Sequence, residues 1–133
     1  MKANTPDLMK FKRLQRRLGV SVSQLVGHLE LLWIATAKNA PEGDIGRFCN
    51  EDIAIACDWP GDPDLFVNSL VDCRWLDTCD NWRLVIHDWS DHAPKYLVGA
   101  LNRHGRTFRS SCQQDAKQDA KQDAKQDAKQ DAK

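Results

Sequence analysis

His87, Asp88, Asp91 and His92 are the densest grouping of acid–base and metal-capable side chains in the chain. Imidazoles and carboxylates of this kind serve as general acids, general bases or metal ligands. A hydrolytic centre would also need ligands from elsewhere in the sequence and a concave pocket. The same residues, placed after an apolar run and before Pro94, suit a simpler role: His87 ends a strand, while Asp88 and Asp91 satisfy turn backbone and cap the next helix. The chain has no Gly-rich phosphate loop, nucleophile elbow or paired-carboxylate motif. The expectation is a non-enzyme with no catalytic residues and no cofactor.

Cys49, Cys57, Cys73, Cys79 and Cys112 are odd in number and include no C-x-x-C pair. Reduced thiols are therefore expected rather than a disulfide framework. Cys57, Cys73, Cys79 and a histidine could in principle hold zinc. Structural zinc usually draws its ligands from close pairs, so no metal site is expected.

The charged residues carry more information. The 133-residue chain balances 19 basic against 19 acidic side chains, but the balance is uneven. Met1 to Arg17 holds six cations and one acid; Glu42 to Asp91 holds three arginines and twelve acids; Lys95 to Arg109 holds four cations and no acid. Zero net charge argues against a bulk polyanion binder, yet leaves room for a local basic patch.

The first of these segments reads as an amphipathic helix. Thr5-Pro6-Asp7 combines a hydroxyl cap, a proline at the first helical position and an acid facing the positive dipole end. Leu8, Phe11, Leu14 and Leu18 form its apolar stripe, opposite Lys10, Lys12, Arg13, Arg16 and Arg17. Gly19 is a natural terminator. Ser21 to Gln24 matches a capping box, and the stripe Leu25, Leu29, Leu32, Trp33 predicts a core helix running to about Asn39, where Ala40-Pro41 stops it. His28 and Glu30 lie off that stripe and are expected to face solvent. After a turn and a short extended segment at 41–46, Asn50 is placed to cap a brief helix to Cys57. Asp62-Pro63-Asp64 opens another, ending near Arg74. Two short helices across a Gly-containing turn form a helix-turn-helix pattern. Trp75-Leu76-Asp77 and Arg83 to His87 then predict a hairpin, and Pro94 opens a last basic helix. The fold class expected is mainly α with a short β-hairpin, a winged helix, over residues 1–112.

Residues 114–133 repeat Gln-Asp-Ala-Lys five times. A period of four stacks like charges at i+4, and nothing larger than alanine is present to bury, so a disordered low-complexity tail over 113–133 is expected. No run reaches the roughly 18 apolar residues of a membrane span, and no apolar signal core follows Lys2. A cytoplasmic protein without a membrane partner is the simplest reading.

Several marks occur in a set order: Gly27-x-Leu29-x-x-Leu32-Trp33, Ala40-Pro41-Glu42-Gly43-Asp44-Ile45, Trp59-Pro60-Gly61-Asp62, Leu70-Val71-x-x-Arg74-Trp75-Leu76-Asp77 and His87 to His92. Together, over roughly residues 5 to 105, they resemble the N-terminal winged-helix domain of phage and prophage replication proteins, the replisome-organiser and DnaD-like primosomal group. The resemblance implies a winged-helix fold and a role in phage DNA replication through DNA contact, self-association or both, with replisome proteins as partners. Full-length members commonly carry a second domain for DNA contact or helicase loading, which this chain does not show.

In a winged helix the second helix of the helix-turn-helix usually enters the major groove. Here it is expected to expose Asp64, Asn68, Ser69 and Asp72, and phosphates would repel the two carboxylates. DNA contact is instead expected from Lys10, Lys12, Arg13, Arg16 and Arg17 together with Lys95, Arg103, Arg106 and Arg109, with Tyr96 and Phe108 available to stack. Such contacts would be salt-dependent and weakly selective. The alternatives are an assembly module, in which the acidic middle of one copy meets the basic helix of another, and a small transcriptional regulator.

Overall fold

The computed structural model describes residues 1–109. The repeat tail and the domain limit at Cys112 lie outside the described residues. A 3-10 turn, Thr5–Asp7, leads to α1 (Met9–Leu18) and α2 (Val22–Asn39). A second 3-10 turn at Ile45–Arg47 precedes α3 (Asn50–Ala56) and α4 (Pro63–Asp72). The chain continues through β1 (Leu76–Cys79), β2 (Arg83–Ile86), α5 (Trp89–His92) and α6 (Lys95–Arg103). The described protein is thus mainly helical with a two-stranded antiparallel hairpin, in which Leu76 faces Ile86 and Cys79 faces Arg83.

Local chemistry accounts for most of these boundaries. Gly19 closes α1 in the left-handed conformation, and its N–H bonds the Gln15 carbonyl. The Ser21 hydroxyl accepts from the Gln24 N–H at 3.2 Å, and the Gln24 side chain returns the bond to the Ser21 N–H at 2.9 Å. The Asp62 carboxylate accepts from the Asp64 N–H at the proline-led start of α4.

Four starts and stops differ from expectation. Thr5 makes no capping bond; it is buried, and α1 begins only at Met9. The segment expected to be extended forms the Ile45–Arg47 turn. Asn50 is the first residue of α3 instead of its cap, because its side chain joins Arg83 and Asp64. The turn expected at 88–91 includes the short α5, whose cap residue Asp88 makes no side-chain capping bond.

One apolar core gathers the elements. Leu25, Leu29 and Leu32 of α2 meet Phe11 and Leu14 of α1, Ile53 of α3, and Phe66 and Leu70 of α4. Trp75, Leu76, Leu84 and Ile86 complete it from the hairpin side. The 43–46 segment lies directly on the hairpin: the Ile86 N–H donates to the Gly43 carbonyl at 2.9 Å and Arg83 Nε to the Gly46 carbonyl at 3.2 Å. A Cβ on Gly46 would collide with the Trp82 carbonyl oxygen and the Leu84 nitrogen, so this approach needs glycine. His28, expected in solvent, is buried; its Nδ1 is 2.8 Å from the Cys57 carbonyl oxygen and its ring packs edge-on against Trp59 and Phe66.

Cys49, Cys57 and Cys73 are free thiols. Burial pushes the Cys57 thiol up to about 12, which makes it an inert core residue. Cys79, expected reduced, is disulfide-bonded. No single helix among the described residues is long and apolar enough to cross a membrane.

Candidate nucleic-acid interface

The basic residues of α1 divide into two kinds. Phe11, Leu14 and Leu18 turn inward, and this leaves Lys12, Arg13 and Arg16 exposed on the outer face with no ion pair among the described residues. The two flanking cations are engaged. Lys10 Nζ donates to the Arg74 carbonyl at 3.1 Å and sits 4.1 Å from the centroid of the Trp75 ring. Partial burial lowers its pKa, against the pull of Asp88 and Asp77. Arg17 Nη1 pairs with Asp72 Oδ2 of α4 at 2.7 Å, an exposed contact.

The C-terminal cations divide in the same way. Lys95 and Arg103 are exposed on α6, which carries no acid. Arg106 and Arg109 turn back onto the 42–44 loop. Arg106 Nε lies 3.3 Å from Glu42 Oε2, Arg109 Nη2 lies 3.1 Å from Glu42 Oε1, and the Arg109 N–H donates to the Glu42 carbonyl at 2.7 Å. Arg109 Nε is also 3.6 Å from Asp44 Oδ2, and its guanidinium covers the Trp82 ring at 4.6 Å. Glu42 and Asp44 are buried acids, so these arginines neutralise charges that folding removes from water. Phe108 is partly buried against Trp89, with ring centroids 6.1 Å apart, and is withdrawn from stacking; Tyr96 stays 71% exposed.

The outer face of α4 is acidic. Asp64, Asn68 and Asp72 are exposed as expected, but Ser69 is buried and Leu65 takes a place on the surface. The hairpin's cation, Arg83, is exposed but engaged: it donates to the Gly46 and Phe48 carbonyls and to Asn50 Oδ1. Its backbone takes the left-handed conformation, with φ 68°.

The His-Asp grouping separates into two local roles. His87 Nδ1 is 2.8 Å from Asp77 Oδ2 across the hairpin, and its Nε2 is 3.4 Å from Asp88. His92 stacks on Trp33 with ring centroids 4.3 Å apart and planes 8° apart. Burial, with help from nearby Lys10, pushes its pKa down to about 4. No group of three His, Cys, Asp or Glu among the described residues is arranged to hold a metal ion.

Two features escaped the sequence reading. Glu42 and Asp44 flank Gly43 in what looks like a solvated turn; the one available signal was that Arg106 and Arg109 had no acid within their own segment. His28 sits a helical turn from the apolar positions Leu25 and Leu32, and only the tertiary approach of Trp59 and Phe66 encloses it. No family model, curated protein or solved structure matches this chain.

Proposed function

We propose that this chain is a winged-helix module that contacts DNA without catalysis, chiefly through the outer face of α1, and serves phage or prophage DNA replication. The order α2, loop, α3, α4, β1, β2, with the 43–46 segment against β2, supports the winged-helix assignment. The replication role rests on the resemblance of the ordered motifs. One observation carries the DNA reading: Lys12, Arg13 and Arg16 stay exposed and unpaired among the described residues, while the helix that would normally read the major groove presents Asp64 and Asp72. Lys95 and Arg103 extend the basic surface. Contact through such cations is to phosphate and is weakly selective. That weighs against a sequence-reading transcriptional regulator.

Duplex DNA binding across a salt series, with the mass in solution measured alongside, tests this reading. Three to five phosphate contacts give a log–log slope of about −3 to −4.5. A stable oligomer that does not bind duplex even at low salt would replace it with the assembly module.

A further inference from the structure

We infer that α6 carries a second nucleic-acid site, for single-stranded DNA, in which Tyr96 stacks on a base while Lys95 and Arg103 hold the flanking phosphates. This rests on the proposed DNA contact, in which Lys95 and Arg103 extend the basic surface, and deepens it by giving α6 its own substrate, a single strand, and its own chemistry, base stacking.

Tyr96 is 71% exposed, the most open of the large apolar side chains among the described residues. A phenol ring so far out of the core gains little by folding and presents a bare π-face. At 100° per residue Tyr96 and Arg103 differ by about 20° around the helix, and Gly99 and Lys95 fall within about 100° of Tyr96 on the same side. Buried Leu97 and Leu101 hold the opposite side. Lys95 and Arg103 are about 12 Å apart along the axis, room for roughly three nucleotides at a stacked spacing of about 3.4 Å.

Gly99 between them is unfavourable in a helix interior relative to alanine. Packing does not require it: a Cβ there would meet nothing nearer than Arg103 Nη1, at 3.9 Å. The same distance places the Arg103 guanidinium beside Gly99. The result is a strip of ring, bare backbone and guanidinium, without an acid on the helix. Polyanion backbone and free base faces are what this combination fits. In duplex DNA each base face is covered by its neighbours, so one ring standing on a helix surface has nothing to stack on. A single strand offers free faces.

The test is anisotropy of a labelled 12-nucleotide oligothymidylate and of a labelled duplex, both with the full chain at low salt. The wild-type chain should bind the oligonucleotide. Tyr96→Ala should weaken that binding about tenfold, the ~1.4 kcal/mol scale of one base–aromatic stack, and Tyr96→Phe should keep it. Both variants should bind duplex as the wild type does, whereas Lys12→Glu/Arg13→Glu/Arg16→Glu should lose duplex binding. Unchanged oligonucleotide affinity in Tyr96→Ala overturns the proposal, as does a wild-type chain that ignores the oligonucleotide. A wild-type chain that binds the oligonucleotide but ignores the duplex would count against the α1 reading and leave the α6 site standing.

Discussion

Two basic segments frame this protein; each keeps some cations on the surface, and they differ in how folding holds the rest. In α1, three of the five cations, Lys12, Arg13 and Arg16, are exposed and unpaired among the described residues; Lys10 is held by the Arg74 carbonyl and the Trp75 ring, and Arg17 meets only an exposed Asp72. At the C-terminal end, Arg106 and Arg109 are drawn onto Glu42 and Asp44, whose side chains are only 9% and 6% exposed. The difference lies in the acids. A carboxylate removed from water demands a partner, because an unpaired buried charge costs several kcal/mol. An exposed carboxylate such as Asp72 demands nothing. Basic residues therefore become available to a ligand where the acids near them are already solvated, whatever their density along the chain.

The largest effect expected from this contrast is on DNA. Each phosphate contact contributes close to tenfold at about 0.1 M salt, so Lys12→Glu/Arg13→Glu/Arg16→Glu should lower duplex affinity by at least about a hundredfold. Arg106→Gln/Arg109→Gln should change it by less than about twofold where the fold survives, since those side chains are already neutralised. Equal losses in the two variants, measured by anisotropy at one salt concentration, would break the comparison.

Stability should show the reverse order. Glu42→Ala leaves Arg106 and Arg109 facing the partly buried loop and should cost about 2–3 kcal/mol, less than a fully buried pair because both arginines keep contact with water. Urea unfolding checks this; a loss below about 0.5 kcal/mol would show that the pairing is as weak as a surface one.

The pairing of Glu42 and Asp44 with Arg106 and Arg109 is also a feature that local sequence does not encode. The capping box at Ser21 and Gln24, the Gly19 stop, the Asp62-Pro63 start and the hairpin are local: each depends on residues within a few positions, and each appears as expected. The outward face of α1 is equally local, since helical periodicity alone separates Phe11 and Leu14 from Lys12 and Arg13. The destinations of Arg106, Arg109, Arg83 and His28 are not local. They depend on groups 29 to 67 residues away, and nothing in the spacing of charges announces that Glu42 and Asp44 will be buried. Net basic character of a segment was legible; which cations survive folding as free charges was not.

An intermediate effect concerns pH. His92 titrates at about 4 in the folded chain against an ordinary 6.5, first because of burial and then because of Lys10; Asp91 and Asp88 pull the other way, and Lys2 adds to the lowering. Between those values the unfolded chain binds more protons than the folded one, so stability rises with pH. The contribution is complete above about 6.5 and is lost as pH falls towards 4. His92→Gln should flatten the fall of Tm over that interval, measured against the wild type in matched buffers. An unchanged slope would mean that the stacked ring on Trp33 accepts its proton freely.

The smallest effect should come from the contact that looks strongest by distance. Arg17 and Asp72 meet at 2.7 Å, shorter than either arginine contact with Glu42. Both side chains are about half exposed, so water already solvates each charge and salt screens the pair. Asp72→Asn should change stability by less than about 0.5 kcal/mol. It should also release Arg17 to the α1 surface and remove an acid from α4, so duplex affinity should rise a few-fold rather than fall. A stability loss comparable with that of Glu42→Ala, with no gain in binding, would show that pair distance governs the fate of these cations and that the solvation of the partner acid does not.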